Sequence, residues 1–197
     1  MSQTIGRPVR ADARRNRERL LEAAVRAFAS DGADVTLEAI AKTAGVGIGT
    51  LYRHFPTRDA LVEAAYRQEL AHLCDAAPGL LRSLQPDEAT RAWMDRFIDY
   101  MTTKRYMAGA LQAVIASGGD PYAESRARLI AAITTLLAAG INAGTLRSDV
   151  EPNDVLLALS GVSLAAGAPD QREQAGRLLN LLIEGLRHHP SGPARRS

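Results

Sequence analysis

The fold is decided by residues 36–55, which read TLEAIAKTAGVGIGTLYRHF. Thr36 is a good N-cap, and the apolar residues that follow it have the spacing of a short helix. The glycine-containing run 45–47 then ends this helix, because glycine readily adopts the left-handed conformation found at helix C-termini. A further short helix is predicted over residues 48–54. The segment therefore predicts two short helices joined by a tight turn.

A longer helix precedes these two. Apolar residues recur at three- and four-residue spacing over residues 20–28, and they predict a helix from residue 11 to Gly32. Three such helices, with a tight turn between the second and third, describe a helix-turn-helix. Its two short helices must pack closely, and the small residues Ala41 and Ala44 permit this.

The third helix is predicted to leave one face free, and the major groove of DNA is just wide enough to admit a helix. Leu51 and Phe55 are expected in the core. Arg53 can bond guanine through two hydrogens or reach a phosphate, and Arg58, at the start of a fourth helix, can clamp a phosphate. The candidate DNA-binding residues are Thr36, Gly47, Ile48, Gly49, Thr50, Tyr52, Arg53, His54 and Arg58.

Several of these residues also have a purely structural interpretation. Tyr52 can be an ordinary half-buried tyrosine, His54 can cap or pack, and Ile48 can belong to the core or touch a thymine methyl group. The Gly45, Gly47 and Gly49 run does not have the spacing of a dinucleotide-binding loop, and no strand precedes it.

Positive charge is concentrated at the N-terminal end. The net charge is +2, but residues 1–58 hold ten Lys or Arg against six Asp or Glu, whereas residues 59–197 hold fourteen against sixteen. Residues 1–10 are predicted to form a flexible basic arm. The arginines of residues 7–19 either lie on a solvated face or contact the backbone or minor groove of DNA. This asymmetry favours a polyanionic partner at one end of the chain.

The rest of the chain is also predicted to be helical. Residues 11–58 form the helix-turn-helix domain, a connecting helix covers 59–77, a second domain covers 78–189, and 190–197 form a disordered tail. The domain boundary is placed at the break marked by Pro78 and Gly79. No strand alternation is found, so the predicted fold is all-α with about nine helices.

Residues 36–55 resemble the helix-turn-helix of TetR-family transcriptional regulators, most clearly in GTLYRHF and the following PTRDALV. The resemblance extends over residues 14–69, and the remainder matches in architecture only. It implies an N-terminal three-helix DNA-binding domain followed by a helical domain that binds a ligand and forms a homodimer. It further implies a repressor that a small molecule releases from a palindromic double-stranded DNA operator.

Methionine and aromatic residues are concentrated between residues 93 and 107, and such side chains can line an adaptable pocket. Ordinary helix core is the simpler interpretation of each one taken singly. The TetR resemblance implies that the small-molecule pocket lies in this domain. The candidate lining residues are Trp93, Phe97, Tyr100, Met101, Met107, Leu137 and Ser160.

The last two helices are unusually apolar. Residues 155–168 include few polar side chains, and their small residues would allow another helix to approach closely. Two copies would then form a four-helix interface across a two-fold axis. The alternative is that these helices form the centre of one domain, and the family resemblance favours the dimer. The interface candidates are Leu164, Leu178, Leu182 and Leu186, and a charge at Leu182 is expected to split the dimer.

An enzyme or a ligand carrier on a helical scaffold is one alternative function, and a nucleoid-type binder without sequence preference is another. His72, Cys74 and Asp75 do not share one helix face, and no HExxH, GxSxG or P-loop motif is present. A single cysteine cannot form an internal disulfide or a multi-cysteine zinc site. The longest apolar run is too short to span a bilayer. We therefore expect a cytoplasmic regulator with no cofactor, metal or membrane partner and no enzymatic activity.

Overall fold

The computed structural model describes residues 6–31, 34–166 and 169–188 of the chain. In these ranges it contains nine α-helices and no β-strand, which confirms the predicted all-α fold. The helices are α1 (Gly6–Asp31), α2 (Leu37–Thr43), α3 (Ile48–His54), α4 (Arg58–Ser83), α5 (Pro86–Tyr106), α6 (Ala108–Ala116), α7 (Ser125–Asn142), α8 (Pro152–Ala166) and α9 (Arg172–Leu186). A short 3-10 helix, Pro169–Gln171, precedes α9.

Several helix boundaries differ from the prediction. Helix α1 begins at Gly6, so residues 6–10 of the predicted arm are helical. Helix α4 continues through Pro78 to Ser83, and the predicted break is absent. Pro78 and Gly79 both disfavour helix, but Ala77 and Leu80 on either side of them are buried, so packing keeps this part of α4 helical.

Some sequence predictions cannot be compared with the structure. The predictions for residues 1–5, for Gly32 as the end of α1, for 167–168 and for the tail at 190–197 lie outside the described residues. The functional assignment of the domain ranges also stays a prediction.

The chain divides into two compact units. Unit 1 contains α1–α3, the part of α4 up to Glu69, and Thr103–Pro121, which includes α6. Unit 2 contains Leu70–Thr102 and the chain from Tyr122 onward, with α7, α8 and α9. Helices α4 and α5 each contribute residues to both units.

Apolar side chains from α1 to α4 form a continuous core in unit 1. Leu51 and Phe55 belong to it, at 0% and 3% exposure, as the sequence predicts. A fully buried leucine or phenylalanine contributes roughly 1.5–3 kcal/mol, so these two side chains anchor α3 to the unit. The other fully or nearly fully buried members are Leu20, Leu21, Ala24, Phe28, Ile40, Leu61, Val62, Ala65 and Tyr66.

Unit 2 combines an apolar core with polar contacts between α5 and α9. Its buried residues include Trp93, Met94, Phe97, Ile98, Leu129, Ile133, Leu136, Leu137, Leu159, Leu179 and Ile183. Arg172 of α9 bridges Asp95 and Asp99 of α5, at N–O distances of 3.1 and 3.2 Å. These contacts fix how α9 lies on α5. Across the described ranges, no helix combines the length and apolarity that a membrane span requires.

Candidate nucleic-acid interface

Specific backbone contacts mark both ends of α2, the first helix of the helix-turn-helix. The Thr36 hydroxyl accepts a hydrogen bond from the Ala39 amide at 3.2 Å and so caps α2. At the other end, Gly45 has a φ of +66°, in the left-handed region that the sequence predicts. The Gly45 amide donates to the Lys42 carbonyl and the Val46 amide to the Ala41 carbonyl, both at 3.0 Å. These two bonds define a Schellman motif.

Helix α3 follows this turn almost immediately. Its first backbone bond joins the Thr50 amide to the Gly47 carbonyl at 2.8 Å. Ile48 and Tyr52 are 37% and 45% exposed. Gly49 and Arg53 are also exposed, whereas Thr50 and His54 are half-buried. The helix therefore presents an outward face that contains most of the candidate DNA-binding residues.

Arg58 is half-buried within unit 1, and its contacts there are with protein groups. Its Nη1 donates to the Val35 carbonyl, and its guanidinium carbon lies 5.2 Å from the centre of the Phe28 ring. These contacts tie the start of α4 to α1 and to the residue before the Thr36 cap. The phosphate contact expected of Arg58 stays a prediction.

Sequence reasoning missed the role of Arg19. Its Nε and Nη2 donate to the Ala44 carbonyl at 2.9 and 2.6 Å, and Nη2 also donates to the Gly45 carbonyl at 2.9 Å. In the sequence, Arg19 is one of several arginines near the start of α1. The one available signal is that Leu20, the first residue of the buried face, follows it directly. Arg17 lies nearby with its guanidinium 5.4 Å from the Phe55 ring centre.

The structure brings three of the predicted pocket residues together. The ring centres of Trp93 and Phe97 are 6.0 Å apart, and those of Phe97 and Tyr100 are 6.2 Å apart. All three side chains are at most 5% exposed. The indole Nε1 donates to the Leu73 carbonyl at 2.9 Å. These residues form an aromatic cluster within unit 2.

The remaining pocket candidates are more scattered. Leu137 is buried and Met101 is half-buried. The hydroxyl of Ser160 donates to the Leu156 carbonyl at 2.8 Å. Met107 is buried within unit 1, whereas the aromatic cluster belongs to unit 2.

Helices α8 and α9 present exposed apolar side chains. Leu164 and Leu181 are 86% and 71% exposed, and sequence reasoning had missed Leu181. Leu178 and Leu182 are half-buried. Leu186 is 5% exposed because it packs within unit 2, so it is not part of this exposed surface. Contiguous exposed apolar surface marks interaction sites in soluble proteins.

Metal binding and cysteine chemistry find no support among the described residues. Among the described residues, no group of three or more His, Cys, Asp or Glu is placed to hold a metal ion. Burial raises the pKa of the Cys74 thiol, with Asp75 acting in the same direction and Arg128 opposing it. The thiolate is the nucleophilic form, so Cys74 is mostly in the unreactive thiol form near neutral pH.

The fold and the exposed α3 face define a helix-turn-helix DNA-binding regulator. The family model of bacterial regulatory proteins of the TetR family matches residues 20–65. A second family model, that of the C-terminal domain of SbtR-like transcriptional regulators, matches residues 85–188, more than half of the chain. The chain belongs to the TetR family of transcriptional regulators, whose members are DNA-binding regulators and not enzymes.

Individual proteins resemble the chain to different extents. A TetR transcriptional regulator from Streptomyces coelicolor is 56% identical, with a TM-score of 0.85 over 88% of this chain and 99% of that one. A TetR regulator from Mycobacterium vanbaalenii is 35% identical, with a TM-score of 0.72 over 91% and 99%. An HTH-type transcriptional regulator of Staphylococcus aureus is 38% identical over 63 residues, which is 32% of this chain and only 34% of that protein.

Proposed function

We propose that this chain is a transcriptional repressor that binds a near-palindromic operator as a homodimer and is released by a small molecule. The observation that carries the proposal is the asymmetry of α3. Leu51 and Phe55 anchor one face in the core, while Tyr52 and Arg53 remain exposed on the other. Such a helix can enter the major groove without losing its attachment to the protein.

The exposed face supplies both kinds of DNA contact. Arg53 is suited to a guanine edge, and the hydroxyls of Thr50 and Tyr52 are suited to phosphates. Gly47 and Gly49 have ordinary negative φ angles, and a Cβ added at either would meet no described atom within 4 Å. Internal packing therefore does not call for glycine at these positions, whereas close approach of DNA to the backbone would. Because phosphates supply much of the affinity, binding is expected to fall steeply with salt.

The exposed apolar surface of α8 and α9 supports the homodimer. Leu157, Leu164 and Leu181 are each more than half exposed. Gly161 lies on the same exposed side of α8, and a Cβ there would also meet no described atom within 4 Å. A second copy related by two-fold symmetry would bury these groups. To read two half-sites one turn of DNA apart, the two α3 helices of the dimer would need to lie about 34–36 Å apart.

The aromatic cluster of Trp93, Phe97 and Tyr100 supports an effector site in unit 2. Hydrophobic and aromatic side chains line most of the surface of small-molecule sites. For a switch, the effector must bind the state released from DNA more tightly, by a few kcal/mol. Helix α4 runs from unit 1 into unit 2 and α5 runs back into unit 1, so these two helices are covalent paths that link the two functions.

The direct test of the DNA-binding proposal is selection from a random duplex library with the purified protein at near-physiological salt. We expect an inverted repeat among the enriched sequences. Binding that persists without an enriched motif would contradict sequence-specific regulation and indicate a non-specific DNA-binding protein. An enriched site without two-fold symmetry would contradict the proposal that a homodimer binds the operator.

The dimer is tested by Leu164→Glu, which places a charge on the most exposed leucine of α8. We expect sedimentation to show a wild-type dimer and a Leu164→Glu monomer, because a charge buried without a partner is strongly unfavourable. Leu84→Glu is the matched control, since Leu84 is 38% exposed and lies between α4 and α5. A wild-type monomer, or a Leu164→Glu variant that remains dimeric, would contradict the proposed interface.

The effector site can be followed through Trp93, the single tryptophan of the chain. Small molecules that raise the melting temperature should change the fluorescence of Trp93 and also release the selected operator. Compounds that release the operator without altering this fluorescence would place the effector site elsewhere.

A further inference from the structure

Two carbonyl groups in the turn between α2 and α3 accept hydrogen bonds from a donor outside the turn. The Schellman bonds of this turn are accepted by the carbonyls of Ala41 and Lys42, and α3 begins with a bond to the Gly47 carbonyl. The carbonyls of residues 43–46 lie between them, and two of these, on Ala44 and Gly45, accept hydrogen bonds from the guanidinium of Arg19. One side chain of α1 therefore holds both carbonyls.

An arginine suits this place for two physical reasons. Carbonyl groups at a helix C-terminus carry partial negative charge, and a cation there is favourable. The guanidinium is also planar, so two of its nitrogens can fix the direction of the carbonyls they bond. A lysine at residue 19 would keep the positive charge but would lack this fork.

The contact acts very close to the recognition helix. Only Val46 separates Gly45 from Gly47, the N-cap of α3. A change in the orientation of the Gly45 peptide would therefore reorient the start of α3, and with it the exposed Arg53 side chain. Binding geometry must be held within about 0.5 Å to be productive.

We propose that Arg19 is a positioning residue for DNA reading, which orients α3 by clamping the turn carbonyls and does not itself contact DNA. This inference rests on the proposed role of α3 as the recognition helix. It also separates Arg19 from the other arginines of residues 7–19, for which a solvated face and direct contact with DNA are the two predicted alternatives. Three N–H···O bonds to the turn already engage Nε and Nη2 of this side chain.

The test compares Arg19→Lys with Arg26→Lys in the full chain. Both variants keep the charge and lie on α1, but the ion pair of Arg26 is with Glu22 of the same helix. We expect Arg19→Lys to weaken binding to the selected operator about tenfold, the typical effect of losing a charged hydrogen bond. Affinity for a shuffled duplex should change less than about twofold, and the salt dependence should not change because charge is retained. Arg26→Lys should match the wild type on both duplexes.

Two results would overturn the proposal. Equal weakening on both duplexes would show that Arg19 contacts phosphate, and wild-type binding by Arg19→Lys would show that the fork is not needed. A melting curve by circular dichroism verifies that Arg19→Lys is folded.

Hydrogen exchange in the absence of DNA tests the clamp independently of the proposed function. The amides of Gly45 and Val46 should exchange faster in Arg19→Lys than in Arg26→Lys. If the wild type binds both duplexes equally, the proposed function is wrong. The exchange rates would still show whether Arg19 holds the turn between α2 and α3. Equal exchange in the two variants would then overturn the clamp, and faster exchange in Arg19→Lys would support it.

Discussion

Unit 1 and unit 2 hold their helices in place in different ways. In unit 1, the helices that form the proposed DNA-reading surface are only seven residues long. Helices this short are not stable by themselves, so caps and turns must hold them. The Thr36 hydroxyl, the left-handed Gly45 and the Arg19 guanidinium meet that need. Each of these positions accepts only a few residue types.

In unit 2 the helices are longer and their positions follow from packed apolar faces. Helices α7, α8 and α9 have 18, 15 and 15 residues. Many combinations of Leu, Ile, Val and Ala can fill such a core if its volume is kept. Unit 1 therefore depends on the backbone geometry of a few residues, whereas unit 2 depends on the total volume of its packed side chains. Substitutions in the two units can test that difference.

The largest effect is expected for Trp93→Ala in the core of unit 2. Trp93 is 1% exposed and its indole donates to the Leu73 carbonyl. Removing it should lower the free energy of unfolding by about 3–5 kcal/mol, measured by urea denaturation followed by circular dichroism. Trp93→Phe should cost less because it retains an aromatic ring. A loss below about 1 kcal/mol for Trp93→Ala would mean that this core does not depend on the indole.

A smaller effect, on DNA affinity and not on stability, is expected for Arg53→Ala in unit 1. It should weaken binding to the selected operator by roughly 1–3 kcal/mol and relax the preference at one base position. Arg82→Ala removes the same charge from an exposed position in unit 2 and is the control. Affinity measurements on single-base operator variants provide the readout. A uniform loss on all sequences would make Arg53 a phosphate contact.

Gly45→Ala probes the backbone geometry of unit 1. An L-residue at the φ of +66° costs about 1–2 kcal/mol, and the new Cβ would lie 3.2 Å from Nη2 of Arg19. Thermal unfolding should therefore show a less stable protein. Gly49→Ala is the contrast, because it should raise stability by about 0.4–1 kcal/mol while weakening operator binding. Equal melting temperatures for the two variants would contradict the left-handed turn.

The smallest effect is expected in the loop between α7 and α8. There Arg147 lowers the pKa of the Asp149 carboxyl from 3.8 to about 2, mainly by a side-chain hydrogen bond. A carboxyl with a lowered pKa in the folded state stabilises the protein fully above its unfolded pKa, and this stability is lost as pH falls through the folded value. Asp149→Asn should therefore lower the melting temperature slightly at neutral pH.

The pH dependence is the sharper readout of this pair. The difference between the wild type and Asp149→Asn should shrink as pH falls from about 4 to about 2. A difference that persists unchanged below pH 2 would show that the ionised carboxylate is not its source.

The candidate site was predictable where local chemistry demands particular residues. Gly45 marks the turn because few other residues tolerate its φ, and Leu51 and Phe55 mark the buried side of α3 by their spacing. The internal contacts of Arg19 and Arg58 were not predictable, because exposed and partly buried arginines look alike in a sequence. Their partners, the carbonyls of Ala44, Gly45 and Val35, can belong to any residue type.

Apolar periodicity was enough to place α8 and α9 but not to say which side of each faces the core. Leu181 and Leu186 both fit the helical pattern of α9, yet one is 71% exposed and the other 5%. Their burial depends on where neighbouring helices lie. The same reason explains why Pro78 did not end α4.

The all-α fold, the helix-turn-helix and the family follow from the order of residues alone, because helix period, caps and glycine turns are local properties of the chain. The joining of residues 103–121 to unit 1, the clamp of Arg19 on the turn and the exposed leucines of α8 and α9 are decided only by tertiary packing. They depend on contacts between residues that are far apart in the chain, and the local sequence around each residue does not reveal those contacts.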